Sequence, residues 1–140
     1  MLLASHLAGV AMASTGLGLC HAIGHALGGR FGIAHGVALT MVLPGVLRFN
    51  TGACADRLAA VAFAAGAGDT ARSAGWNAAA AVEAVTALAD RVGMTHRLPG
   101  FGITAADFDL IAADALDDEV LDNTPRPATG ADIRAILADA

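Results

Sequence analysis

The sequence contains no lysine, and this absence excludes one kind of chemistry and disfavours one kind of partner. All eight basic residues of the 140-residue chain are arginines, so a catalytic lysine Schiff base is excluded. The arginines are scattered and the formal net charge is −5. A nucleic-acid partner requires a basic patch for its phosphates. We therefore expect no nucleic acid among the partners.

Aromatic residues are scarce, at 4% of the chain, although 56% of the residues are hydrophobic. Alanine accounts for much of that hydrophobic fraction, and runs of β-branched and aromatic residues that would indicate strands are few. A composition of this kind favours closely packed helices. The chain is also short enough to be a single domain, so we predict an all-α fold, a multi-helix bundle, over residues 1–140.

Cysteine is also scarce, since Cys20 and Cys54 are the only two. They form no CxxC pair and are too few for a disulfide framework, so we expect a cytoplasmic protein. Cys20 precedes His21, which raises the possibility of a nucleophile. Adjacent helical residues point in different directions, however, and no third group that would orient a base is evident.

Long uninterrupted apolar runs are lacking as well. The apolar stretches are short and broken by glycine and histidine, so no membrane span is predicted. Residues 1–14 resemble a secretory signal only superficially, because they lack a basic start and contain Ser5 and His6. We expect a soluble protein with no membrane partner.

Helical periodicity predicts seven helical segments. Pro44 is expected to kink or divide the third, and Thr104 and Thr129 have the character of helix N-caps. The predicted helices cover residues 2–13, 17–27, 36–48, 56–65 and 76–92, and two more follow the threonine caps. Acidic residues concentrate beyond Thr104 and predict a solvated helix face. His96, Arg97 and Pro99 are predicted to lie in a surface loop.

Three of the five histidines, His21, His25 and His35, lie within fifteen residues of one another. The first two are four residues apart, which places them on one face of a helix. Gly28-Gly29 is a natural helix end, after which the chain can turn and bring His35 back towards His21. Neutral imidazoles suit a divalent transition metal. Packed core histidines are the alternative, and spacing alone does not decide between the two.

A resemblance to a known family adds to this interpretation. The run Gly-Leu-Gly-Leu-Cys-His-Ala-Ile-Gly-His-Ala-Leu-Gly-Gly at residues 16–29, then His35-Gly36 and Leu-Pro-Gly-Val-Leu-Arg-Phe-Asn at 43–50, resembles the signature of the iron-containing (group III) alcohol dehydrogenases. Residues 123–129 and 132–137 are similar to the closing loop and last helix of that family. The resemblance covers essentially the whole chain and implies the family's C-terminal helical domain, the dehydroquinate synthase-like α domain.

The resemblance also implies roles for individual residues. His21 and His35 match metal-ligand histidines of the family, and His25 matches a histidine beside the metal and substrate, which we take as a catalytic candidate. The metal would be iron or zinc, and the reaction would be hydride transfer between a small alcohol or aldehyde and NAD or NADP. An aspartate and a further histidine ligand, and the nucleotide-binding domain, would come from polypeptide upstream of residue 1. In agreement, Gly16 and Gly18 are not followed by the third glycine of a dinucleotide fingerprint.

The sequence departs from the family pattern at Ala34, Leu39 and Pro44-Gly45, where the family usually has proline, asparagine and a Pro-His pair. A related group, the maleylacetate reductases, shares the histidine framework without a metal, and it stays an alternative. A non-catalytic helical remnant or binding module is a second alternative. A symmetric homo-oligomer in which two chains share one metal is a third.

Overall fold

The computed structural model describes all 140 residues and confirms the predicted all-α fold, since it contains six α-helices, three short 3-10 helices and no strand. The α-helices are α1 (Leu2–Thr15), α2 (Leu19–Phe31), α3 (His35–Ala64), α4 (Ala74–Arg91), α5 (Phe108–Leu116) and α6 (Gly130–Ala138). The 3-10 helices are Leu98–Phe101, Ala105–Asp107 and Glu119–Asn123.

The main hydrophobic core lies where α2, the first half of α3, α5 and α6 meet. Alanines such as Ala22, Ala38 and Ala115 are fully buried there beside Ile23 and Ile111. A second, smaller core joins the far half of α3 to α4 through Leu58, Ala62, Ala78 and Ala81. Small side chains let helix axes approach closely, which is the packing that the alanine-rich composition favours.

The turn after α2 comes later than predicted. Gly28 and Gly29 stay helical, and the helix ends at Gly32, whose φ of 65° is left-handed and whose N–H donates to the Gly28 carbonyl. Glycine adopts this conformation without the steric cost that a Cβ brings. The prediction that Gly28-Gly29 ends the helix was wrong in position, although the chain does turn back and begin α3 at His35.

Pro44 does not divide α3. Proline removes one backbone donor from a helix interior, yet Val42 and Val46 on either side of it are buried in the main core, and packing there holds the helical path. The break between the predicted helices 36–48 and 56–65 falls at Cys54, inside the predicted gap, where φ is −141° and ψ is 36°.

α3 is long and apolar enough to cross a membrane, with a mean hydropathy of 1.3 over 18 residues. α1 and α2 are long and apolar enough only when taken together, as a pair bent by 103°. The core helix of a soluble protein meets the same criteria. The expected absence of a membrane partner stays a prediction.

Candidate functional site

The three histidines of the glycine-rich stretch converge at the junction of α2 and α3. The ring centroid of His21 lies 6.0 Å from that of His25 and 5.4 Å from that of His35, and His25 and His35 are 5.8 Å apart. His21 and His25 are one turn apart on α2, and His35 is the first residue of α3. The structure therefore brings His35 back towards His21, as predicted.

Gly24 explains why the two helices approach closely enough for this. It is buried between His21 and His25, and a Cβ built on it would lie 2.5 Å from Cδ2 of Leu39 on α3. Real Cβ contacts are essentially never that short. Because glycine has no Cβ, the start of α3 can lie against the face of α2 that carries His21 and His25.

His21 is the member of the cluster with a perturbed proton affinity. Its pKa is lowered, first by burial and then by repulsion from His35 and His25, while Asp118 acts in the opposite direction. A charged imidazolium is disfavoured among other imidazoles and away from water. The neutral ring, which is the form that binds a metal ion, is favoured.

His25 has a partner that sequence reasoning did not single out. Its Nδ1 lies 2.6 Å from Oδ2 of Asp118, and the hydrogen bond from His25 is the largest cause of a lowered Asp118 pKa. Asp118 was predicted to belong to a solvated acidic face. The two residues are 93 positions apart, and no local spacing signals a contact of that separation.

The other acidic residues near it mostly behave as predicted, at the surface. Asp114 forms a two-point ion pair with Arg30, through Oδ2 to Nε and through Oδ1 to Nη2 at 2.7 Å. Asp109 accepts a hydrogen bond from Arg134 at 2.9 Å. Exposed pairs of this kind contribute little each, so Asp118 stands apart by its contact with the histidine cluster.

No group of three histidine, cysteine, aspartate or glutamate side chains in the chain is arranged to hold a metal ion. The donors that the cluster does offer are imidazole nitrogens, which suit iron or zinc. The one neighbouring carboxylate, Asp118, is engaged with His25. The structure thus brings imidazole donors together without a complete metal site, and the ligand roles of His21 and His35 stay predictions.

Cys20 has the surroundings of an unreactive thiol. Burial raises the pKa of its thiol to about 11, and its Sγ donates to the Leu39 carbonyl at 3.7 Å. A thiol is reactive only as the thiolate. His96, predicted to be at the surface, is exposed beside Phe101, with ring centroids 5.9 Å apart.

The molecule is thus an all-helical domain with a cluster of three histidines where two helices meet. The model of a protein family described as "Fe-containing alcohol dehydrogenase family, C-terminal" matches residues 1–140. The chain belongs to this family, as the resemblance of its histidine-containing segments predicted.

Individual relatives agree with this assignment. The chain is 39% identical to the probable alcohol dehydrogenase EutG of Escherichia coli (strain K12), over all of this chain and 34% of that protein. It is 36% identical to the 1,3-propanediol dehydrogenase of Klebsiella pneumoniae, over all of this chain and 36% of that protein. The chain therefore spans about a third of the length of these curated relatives.

Solved structures carry the same fold. An alcohol dehydrogenase from Oenococcus oeni superposes with a TM-score of 0.91 at 34% identity, covering 96% of this chain and 35% of that one. A 1,3-propanediol oxidoreductase superposes with a TM-score of 0.82 at 34% identity, covering 87% of this chain and 32% of that one.

Proposed function

We propose that this chain is the C-terminal helical part of a metal- and NAD(P)-dependent alcohol dehydrogenase that interconverts a small alcohol and its carbonyl compound. The observation that carries the proposal is the convergence of three imidazoles, 5.4–6.0 Å apart, in a chain of the iron-containing family. Relatives named for 1,3-propanediol and lactaldehyde support a small substrate.

His21 and His35 are the residues that would hold the metal, iron or zinc, together with ligands from outside the chain. A divalent cation bound there would act as a Lewis acid towards an alcohol oxygen. The lowered pKa of His21 supports this role, because it keeps the imidazole neutral and able to bind.

His25 is the proposed proton carrier. Oxidation of an alcohol releases a hydride to the nicotinamide and a proton from the hydroxyl, so one group must accept that proton. The Nδ1 of His25 is bonded to Asp118, whereas its Nε2 has no hydrogen-bond partner within the chain. Nε2 is the atom at which His25 would take up and release the proton.

The nicotinamide cofactor would be bound mainly by polypeptide that the matched third of the relatives does not include. A cytoplasmic location belongs to the same proposal, and the two free cysteines, Cys20 and Cys54, are in keeping with a reducing compartment.

The test joins this chain to the upstream two thirds of the Klebsiella pneumoniae 1,3-propanediol dehydrogenase, in place of the segment that it matches. We expect metal-dependent, NAD(P)-linked turnover of a small alcohol. His21→Ala in this chimera should remove metal and turnover together. His25→Ala should keep the metal and lower turnover by roughly 10²–10⁴-fold, which is the usual contribution of a general acid or base.

His96→Ala is the matched control, because His96 is an exposed imidazole outside the cluster. It should change neither metal content nor turnover. Full turnover in a metal-free chimera would contradict the metal role and favour the maleylacetate reductase-like alternative. A folded, metal-loaded chimera that turns over no alcohol or aldehyde would favour the non-catalytic helical module.

A further inference from the structure

The segment from Asp114 to Thr124 runs antiparallel beside α2 and is tied to it at both ends. At the start of α2, the Leu19 N–H donates to the hydroxyl of Thr124 at 2.9 Å. Near the end of α2, Arg30 pairs with both carboxylate oxygens of Asp114. The two ties lie in one register, and the buried packing of α5 against α2 holds the segment in that register, so a contact midway between the ties is set by the fold.

The contact midway is the one between His25 and Asp118, and each carboxylate oxygen of Asp118 has its own partner. Oδ2 lies 2.6 Å from Nδ1 of His25, and Oδ1 accepts the Val120 N–H at 3.1 Å. The Asp118 side chain is 20% exposed, against 37% for Asp114. Asp118 is therefore held at both oxygens and is better shielded than the neighbouring surface pair.

The direction of the hydrogen bond follows from the chemistry of the two groups. An ionised carboxylate can only accept, so the hydrogen in this bond belongs to Nδ1 of His25. A neutral imidazole carries one hydrogen, which leaves the lone pair on Nε2. Without an acceptor at Nδ1, the ring could carry its hydrogen on either nitrogen and rotate more freely.

We propose that Asp118 is a positioning residue, which holds the His25 ring in one orientation and in the Nδ1–H form, so that Nε2 is the nitrogen of His25 that carries the free lone pair. This inference rests on the proton-carrying role proposed for His25. It also separates His25 from His21 and His35, because no other histidine of the cluster has a carboxylate partner.

The test is a long-range ¹H–¹⁵N spectrum of the histidine side chains in the full 140-residue chain, at a pH about 2.5 above the ordinary histidine pKa of about 6.5. His25, assigned by its loss in His25→Ala, should show a protonated Nδ1 and an unprotonated Nε2. In Asp118→Asn the amide oxygen can still accept from Val120, and the amide nitrogen then donates to His25. The tautomer should therefore change to Nε2–H.

Asp118→Ala should instead give the ordinary mixture of tautomers, in which Nε2–H predominates. The matched control is Asp109→Ala, which removes a carboxylate of α5 that pairs with Arg134 of α6 and contacts no imidazole, and it should leave His25 in the Nδ1–H form. Should Asp118→Ala unfold because the Val120 contact is lost, Asp118→Asn decides the question.

An Nε2–H form in the unmodified chain, or an Nδ1–H form that persists in Asp118→Asn, would overturn the inference. The spectrum needs no metal, nucleotide or substrate, so it is independent of the proposed activity. A chimera that turns over alcohol while His25 is in the Nε2–H form would refute the role of Asp118 alone. A fixed Nδ1–H form in an inactive chimera would refute the proposed function alone.

Discussion

At the scale of single residues, Gly24 determines how closely the histidine-bearing parts of α2 and α3 approach. Gly24→Ala places a Cβ 2.5 Å from Leu39 Cδ2, so Leu39 or the helix must shift. We expect a loss of about 1–3 kcal/mol in the free energy of unfolding, the usual cost of overpacking, measured by urea denaturation.

Two further variants isolate that cause. Gly29 lies on the same helix with nothing within 4 Å of a built Cβ, so Gly29→Ala should stabilise by about 0.5–1 kcal/mol through helix propensity. In a Leu39→Ala background, Gly24→Ala should lower the free energy of unfolding only slightly, or should raise it. An equal loss of stability from Gly24→Ala with and without the Leu39 side chain would show that contact with Leu39 is not its cause.

Cys20 gives a second prediction at this scale. Its pKa is raised from 9.0 to about 11, so its thiolate fraction near pH 8 is roughly 100-fold below that of an unperturbed thiol. In Cys54→Ser, where Cys20 is the only thiol, alkylation by iodoacetamide should be slower than in urea-unfolded protein by about that factor. Equal rates in folded and unfolded protein would refute the burial of this thiol.

What the sequence could predict at this scale depended on separation along the chain. His21, His25 and His35 are close in sequence, so helical spacing and a glycine turn were enough to predict their convergence. Asp118 reaches His25 only because α5 packs against α2. That packing depends on buried residues such as Ile23 and Ile111, and no spacing rule relates them to a polar contact.

At the scale of helices, the caps were predictable and two helix boundaries were not. Thr129 and Asp132 form a capping box, in which the Thr129 hydroxyl accepts the Asp132 N–H and the Asp132 carboxylate accepts the Thr129 N–H. A threonine three residues before an aspartate is a local signal. The continuation of α2 to Gly32 and of α3 through Pro44 has no comparable local signal, because Gly28-Gly29 and Pro44 are themselves residues that usually end a helix.

The cap of α6 has a measurable effect on stability. α6 contributes Ile133 and Leu137 to the main core, so loss of its cap should destabilise the whole domain. Thr129→Ala is expected to cost about 1 kcal/mol in the free energy of unfolding. Thr15→Ala is the matched control, because the Thr15 hydroxyl bonds only to the Ala11 carbonyl of its own exposed helix. Similar losses of unfolding free energy in Thr129→Ala and Thr15→Ala would show that the Thr129 cap does not stabilise the domain.

At the scale of the whole molecule, α1 stands apart from the two cores. It has no buried residue, and Leu2, Leu3, Leu7 and Val10 are between 51% and 90% exposed. Apolar surface of this extent favours association. We expect light scattering on the purified chain to show a mass that rises with concentration.

A variant lacking residues 2–13 tests whether α1 is needed for self-association but not for folding. It should scatter as a monomer, and its free energy of unfolding should stay within about 0.5 kcal/mol of the full chain, because few contacts are lost. A full chain that is monomeric at all concentrations, or a shortened chain without cooperative unfolding, would contradict this view of α1.

The central claim is that His21 and His35 form part of a metal site. The most direct measurement is calorimetric titration of the metal-free chimera described above, in which the upstream polypeptide can supply the remaining ligands, with zinc and with ferrous iron under anaerobic conditions, repeated on His21→Ala, His35→Ala and His96→Ala. We predict one-to-one binding that weakens at least about tenfold, or ~1.4 kcal/mol, in each of the first two variants and is unchanged in the third. A metal affinity that is unchanged in His21→Ala and His35→Ala, or no binding of either metal, would contradict the claim.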